Sequence, residues 1–133
     1  MSAENVEFVK SLYEAFGRGD IAYLLERMSP AFRWLPAENS PMDRGRPFIG
    51  SQDVLDNVFT RIGGEWENFK VKPERFLDAG DTVVVEGRYA GASRATGKNF
   101  DAQMLHIWVV RDGQLHEFRQ YTDTAQARDV MSA

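Results

Sequence analysis

The sequence predicts an α+β fold in which helices pack on one face of an antiparallel sheet. Apolar residues recur at helical spacing through most of the first 62 residues. From Phe69 onward the apolar period changes to two, and turn residues separate successive runs. Because helical and strand patterns are segregated along the chain rather than alternating, a sheet built mostly from hairpins is favoured over a parallel βαβ fold.

Three amphipathic helices account for the first of these patterns. Gly17 and Gly19 end the first helix, while Asp20 and Ser51 are the expected N-caps of the second and third. Pro30 closes the second helix, and Gly63-Gly64 stops the third. The three apolar faces consist of Val9, Leu12, Tyr13 and Phe16, then Ile21, Leu24, Leu25 and Met28, and finally Leu55, Val58, Phe59 and Ile62.

Five strands and a last helix complete the prediction. The strands are expected at residues 31–37, 69–77, 82–92, 100–110 and 114–122, and Asp123 can cap a helix that runs to Val130. Pro73 implies an edge strand or a bulge. The loop at 38–47 is long enough to cover the mouth of a pocket, such as the conical cavity that a bent sheet and its helices enclose.

Composition limits the classes of function. The 133 residues predict one domain spanning 1–133, and the net charge of −4 without a basic run argues against nucleic acid or a membrane surface as partner. No apolar run approaches the ~20 residues of a membrane span. The chain has no cysteine, which removes disulfides and thiolate metal sites and fits a cytoplasmic location.

Polar side chains are concentrated in the last hairpin, around an Asp112-Gly113 turn, which is a strong hairpin signal. The direction of His106 depends on the pairing. A plain two-residue turn places His106 opposite Arg119 and away from Gln120. A bulge slips the pairing by one residue, and His106 then joins Phe118 and Gln120 on one face.

The order of elements, the Arg18-Gly19-Asp20 turn and the segment HIWVVRDGQLHEFRQYTDT together resemble the SnoaL-like branch of the NTF2-like superfamily. The resemblance implies a cone of N-terminal helices packed on a strongly curved mixed β-sheet. It also implies a homodimer through the outer face of the sheet, which would hide Trp108 or Val110, and a small apolar ligand with no cofactor.

The catalytic residues of the characterised relatives do not carry over. The positions that match the tyrosine and two aspartates of ketosteroid isomerases hold Leu12, Leu35 and Leu105. Gln120 stands where epoxide hydrolases of this fold have a catalytic aspartate, and their Arg-x-Asp pair becomes Gly87-x-Tyr89. An amide cannot act as a general base at neutral pH. His106 is the position that matches the pocket histidine of polyketide cyclases in this family.

Two functions therefore remain open. The first is cofactor-free isomerase- or cyclase-type proton transfer on an apolar, carbonyl-bearing ligand, and the second is a non-catalytic ligand-binding or dimerisation module. Asp123 can instead be a helix cap, Arg88 can form a cross-strand ion pair, and His106 with His116 gives only a weak metal signal. The candidate catalytic residues are His106 and Asp123, and the candidate ligand-binding residues are Trp34, Arg88, Trp108, Phe118 and Gln120.

Overall fold

A computed structural model describes residues 2–133 and confirms the α+β prediction. Six strands form one curved mixed sheet, and the helices pack mainly against its inner face. The helical elements are α1 Ser2–Gly17, α2 Ile21–Glu26, α3 Gly50–Val54, a π-helical segment Leu55–Phe59, α4 Thr60–Glu65 and α5 Thr124–Met131. The strands are β1 Met28–Leu35, β2 Phe48–Ile49, β3 Trp66–Ala79, β4 Thr82–Ser93, β5 Asn99–Arg111 and β6 Gln114–Thr122.

The strand order is β2-β1-β6-β5-β4-β3, with β1 parallel to β6 and every other pair antiparallel. β3 is an edge strand, and its pairing with β4 shifts between Pro73 and Arg75, so the proline sits at both an edge and a bulge. Gly87 lies opposite Pro73, where a Cβ would overlap the carbonyl oxygen of Lys72. Glycine therefore permits the close approach of these two strands.

The start of the second helix agrees with prediction, but its end does not. The Asp20 carboxylate accepts a hydrogen bond from the Tyr23 N–H at 3.2 Å and caps α2. The helix ends at Glu26 rather than near Pro30, because the Arg27 carbonyl already accepts a sheet bond from the Leu115 N–H at 2.8 Å. Pro30 lies within β1, in a stretch where the pairing with β6 is irregular.

The third helix begins and ends differently from the prediction. Ile49, not Ser51, is the N-cap residue, and its N–H donates to the Asp53 carboxylate at 2.8 Å. The helix passes through Gly63-Gly64 to Glu65, because glycine lowers helix propensity without blocking the helix. Trp66 then turns inward as the first residue of β3 and is 8% exposed.

The core fills the space between the inner face of the sheet and the helices. The alternation of β4 and β5 buries every second side chain, as the period-two pattern predicts. Trp108 and Val110 both point inward and are almost completely buried, so they are not residues that a dimer has to cover. None of the helices within residues 2–133 has the length and apolar character needed to cross a membrane.

Candidate functional site

A cavity of about 100 Å³ lies between the sheet and the helices, and its walls are mostly apolar. Rings from five strands and two helical segments line it, with a few polar groups among them. For scale, a dry cavity of roughly 150 Å³ can hold benzene. The aromatic lining residues are Tyr13, Phe16, Trp34, Phe59, Trp66, Phe69, Tyr89, Phe100, His106, Trp108 and Phe118.

A bulge in the last hairpin brings Phe118 and Gln120 to the same side of the sheet as His106. Asp112 and Gly113 have φ values of +52° and +70° and form the two-residue turn, with Val110 opposite Leu115. The pairing then shifts, and His106 lies opposite Gln120. Both features weighed from the sequence are present. His106, which is 4% exposed, shares the inward face of β5 with Trp108 and Val110, and the bulge places Gln120 on that face as well.

His106 lies between two tyrosines. Its Nδ1 is 2.6 Å from the Tyr13 hydroxyl, and its Nε2 is 2.5 Å from the Tyr89 hydroxyl. Trp108 Nε1 donates to the Tyr13 oxygen at 2.8 Å, and Gln120 Nε2 donates to the Tyr89 oxygen at 2.8 Å. The result is a continuous chain of polar groups, here called the Tyr13–His106–Tyr89 relay, with one amide or indole donor at each end.

Local sequence patterns place each member of the relay. Tyr13 belongs to the buried face of α1, together with Val9 and Leu12. Tyr89 follows Val83, Val85 and Gly87 on the inward side of β4. Because these neighbours are apolar and pack closely, the two hydroxyls are held against the imidazole from opposite sides.

Burial keeps the relay uncharged. Burial lowers the pKa of His106 from 6.5 to about 3, so the imidazole is neutral at pH 7. Burial also raises the pKa of Tyr89 and, partly opposed by the Trp108 hydrogen bond, the pKa of Tyr13. Neutral tyrosine is a hydrogen-bond donor as well as an acceptor, and neutral histidine is one of each.

The loop between β1 and β2 covers one side of the cavity, as the sequence predicted for residues 38–47. Ser40, Pro41 and Met42 contribute to the lining. Arg61 of α4 donates to the Pro41 carbonyl at 3.0 Å and pairs with Glu65 at 3.3 Å. The Arg61 guanidinium, which is oriented by its ion pair with Glu65, therefore fixes the loop to α4.

Comparison with known proteins identifies the family. A sequence profile of the SnoaL-like domain matches residues 9–118. The chain belongs to the SnoaL-like family. An NTF2-like protein from Burkholderia thailandensis E264 is 34% identical with a TM-score of 0.91, and the match covers 96% of this chain and 97% of that one. This SnoaL-like chain therefore has the NTF2-like fold.

Two further structures show the range of descriptions attached to this fold. An NTF2-like protein of unknown function from Burkholderia pseudomallei K96243 is 25% identical with a TM-score of 0.87, covering 97% of this chain and 98% of that one. A protein from Jannaschia sp. CCS1, provisionally described as a SnoaL-like polyketide cyclase, is 25% identical with a TM-score of 0.83, covering 99% and 94%. A search of curated proteins found no match.

Five of the seven residues selected from the sequence of this SnoaL-like protein meet in the cavity: Trp34, His106, Trp108, Phe118 and Gln120. Arg88 and Asp123 are not among the lining residues. Arg88 points to the outer face of the sheet and pairs with Asp101 at 2.9 Å. Asp123 is exposed and caps α5 by accepting from the Gln126 N–H at 3.1 Å. Arg88 therefore forms a cross-strand ion pair and Asp123 caps a helix, which are the structural roles that the sequence offered as alternatives.

Sequence reasoning missed Tyr13 and Tyr89 as functional residues. The alignment to ketosteroid isomerases assigned the tyrosine position to Leu12, although the helix pattern placed the next residue, Tyr13, on the buried face. Tyr89 was noted only as a lost aspartate, yet the alternation Val83-Val85-Gly87-Tyr89 indicated an inward side chain. Within residues 2–133, no three His, Cys, Asp or Glu side chains come together where they could hold a metal ion.

Proposed function

We propose that this SnoaL-like protein binds a small, apolar, carbonyl-bearing molecule in its cavity and transfers a proton on it without a cofactor. The observation that carries the proposal is the buried Tyr13–His106–Tyr89 relay in the wall of an otherwise aromatic cavity. A cavity that only holds an apolar ligand needs no titratable side chains, because aromatic and amide groups are sufficient to line it. This one also contains three titratable side chains, two tyrosines that are each hydrogen-bonded to His106 between them.

The relay can move protons without creating a buried charge. When one tyrosine gives its hydroxyl proton to His106, the imidazole can release the proton of its other nitrogen to the second tyrosine. A proton accepted from the ligand at one tyrosine is then balanced by a proton returned to the ligand at the other. This matters because an isolated ion in such apolar surroundings is strongly disfavoured.

Each residue has a distinct role in this proposal. A tyrosine hydroxyl donates to the ligand carbonyl oxygen and stabilises the negative charge that develops there during enolisation. His106 passes protons between the tyrosines. Gln120 positions Tyr89, since it donates to the tyrosine oxygen while its own oxygen accepts from the Ala37 N–H at 3.1 Å.

The proposal is tested with cyclohex-3-enone, a one-ring ketone whose conversion to conjugated cyclohex-2-enone changes the ultraviolet absorbance. We expect wild type to accelerate the conversion and His106→Gln to lose at least tenfold of that acceleration. His116→Gln is the matched control, because it changes the second histidine, which does not line the cavity. Binding of the ketone without acceleration would contradict catalysis and leave the non-catalytic binding module as the function.

We also propose that a second copy of the chain covers the outer face of the sheet. That face carries Val84 on β4 and Leu105, Ile107 and Val109 on β5, all half-buried in the single chain. Tyr121 beside them on β6 is 50% exposed. An apolar patch bordered by ion pairs such as Arg88–Asp101 is typical of a surface between subunits. The cytoplasmic location expected from the sequence stays a prediction.

A further inference from the structure

The relay has one more hydroxyl proton than it has acceptors. Neutral His106 offers one N–H and one lone pair, so it donates to one tyrosine and accepts from the other. The tyrosine that accepts from His106 also accepts from Trp108 or Gln120, and its own hydroxyl proton has no recipient among the contacts of the described residues. In either tautomer, one tyrosine O–H therefore remains for a molecule in the cavity.

Two other polar groups in the cavity wall have no hydrogen-bond partner among residues 2–133. They are the indole N–H of Trp34, a residue 6% exposed, and the hydroxyl of Ser40, a residue 8% exposed. Both residues line the cavity. An unpaired buried polar group costs about 1–3 kcal/mol, and the indole N–H can only donate.

The spare donors lie on two sides of one ring. The Phe118 ring packs against Trp34 with 3.9 Å between centroids and against His106 with 4.7 Å between centroids. Phe118 thus stands between the Trp34 indole and the relay. A flat ligand lying across Phe118 meets a donor toward Trp34 and another toward the tyrosines.

Charge in the cavity wall is already balanced. Among the described lining residues the acidic side chain is Glu65, which is paired with Arg61, and His106 is neutral. A charged ligand would leave water for a cavity that supplies no counter-charge.

We propose that the cavity selects an uncharged ring compound with hydrogen-bond-accepting oxygens at two separated positions, one for the spare tyrosine hydroxyl and one for the indole N–H of Trp34, with the Ser40 hydroxyl as a further donor in the wall. This inference rests on the proposed function and narrows its ligand class. It makes Trp34 and Ser40 specificity residues that take no part in the proton relay, and Trp34 lies across Phe118 from that relay.

The test compares 4-pyranone with benzene. 4-Pyranone is a one-ring, uncharged molecule with acceptor oxygens at opposite ends and no N–H or O–H, whereas benzene has the same ring size without acceptors. Binding of each is measured by ligand-observed NMR titration. We expect Trp34→Phe to weaken 4-pyranone binding about three- to tenfold, the equivalent of one net hydrogen bond, while benzene binding changes less than twofold.

Ser40→Ala should act in the same direction as Trp34→Phe. Ser93→Ala is the matched control, because Ser93 also has a buried hydroxyl without a partner but does not line the cavity. Equal weakening of both probes by Trp34→Phe, or no weakening of 4-pyranone, would overturn the two-acceptor inference and leave the binding cavity intact. Failure of both probes to bind the wild type would instead overturn the proposed function together with this inference.

Discussion

Acid should destabilise this protein through His106. The imidazole is 4% exposed, and burial lowers its pKa from 6.5 to about 3 in the folded state. In the unfolded chain the pKa returns to about 6.5. Between these two values the unfolded state binds more protons than the folded state, so stability decreases as the pH falls below about 6.5.

The expected effect is large enough to measure. From pH 7 to pH 4.5, one histidine with these two pKa values removes roughly 2.5 kcal/mol from the free energy of unfolding. The stability of a typical domain is only about 5–15 kcal/mol. The loss attributable to His106 is therefore a substantial part of the total, and it keeps growing by about 1.4 kcal/mol per pH unit until the pH approaches the folded-state pKa of about 3.

Urea unfolding at pH 7.0, 6.0, 5.0 and 4.5 measures this effect for wild type, His106→Gln and His116→Gln. Carboxylates contribute equally to all three proteins, so the difference between the curves isolates one histidine. We expect His106→Gln to lack about 2.5 kcal/mol of the pH-dependent loss. His116→Gln is the matched control, because it removes the second histidine, which does not line the cavity.

Parallel pH curves for wild type and His106→Gln would refute the buried, neutral imidazole, and the proton count of the relay would fail with it. If His106→Gln does not fold, the ring signals of His106 in wild-type NMR spectra decide the same question. They should not titrate between pH 7 and 4.5, and a titration near pH 6.5 would refute the reasoning equally.

Three further predictions concern single side chains. Tyr89→Phe leaves the Gln120 amide without its acceptor, which should cost about 2 kcal/mol and lower the thermal midpoint by about 7 °C in a circular dichroism melt. Gly87→Ala forces a Cβ into the backbone of β3 and should cost at least about 2 kcal/mol in urea unfolding, where an unchanged midpoint would contradict the close approach. Ile107→Arg should convert a dimer into a monomer in light scattering; a wild-type monomer at micromolar concentration would exclude the proposed interface.

Much of the fold was predictable because it depends on local patterns. Helical spacing placed the buried face of α1, and period-two alternation placed the inward residues of β4 and β5. The boundaries of the second and third helices were not predictable in this way. A sheet bond from Leu115 ends the second helix, and the Asp53 carboxylate serves the N–H of Ile49 at the start of the third. Both depend on partners that single-sequence patterns do not show.

The part of the candidate site in the last hairpin was predictable, because aromatic residues there lie close in sequence to the polar residue His106. Trp108 and Phe118 were found because they belong to the hairpin that carries His106. Arg88 and Asp123 were chosen for their charge, yet charged side chains in an apolar cavity without counter-charges are disfavoured, and these two lie outside it. Tyr13 and Tyr89 were missed because the alignment searched for the catalytic residues of relatives, whereas these two side chains are marked only by their position on the buried faces of α1 and β4.

One inserted residue decides which side chains of β6 face the cavity. The strands on both sides of the Asp112-Gly113 turn begin in the simple pairing, with Val110 opposite Leu115, and only the shift after Val109 brings His106 opposite Gln120. Without that shift, His106 and Gln120 would lie on different faces, because successive side chains of a strand alternate. His106 would still face Tyr13 and Tyr89, because β5 pairs with β4 without a shift, but Tyr89 would lose the hydrogen bond from Gln120. The bulge, which places His116 in the unpaired position, is therefore the structural feature that turns Phe118 and Gln120 into the cavity and gives Tyr89 its hydrogen bond from Gln120.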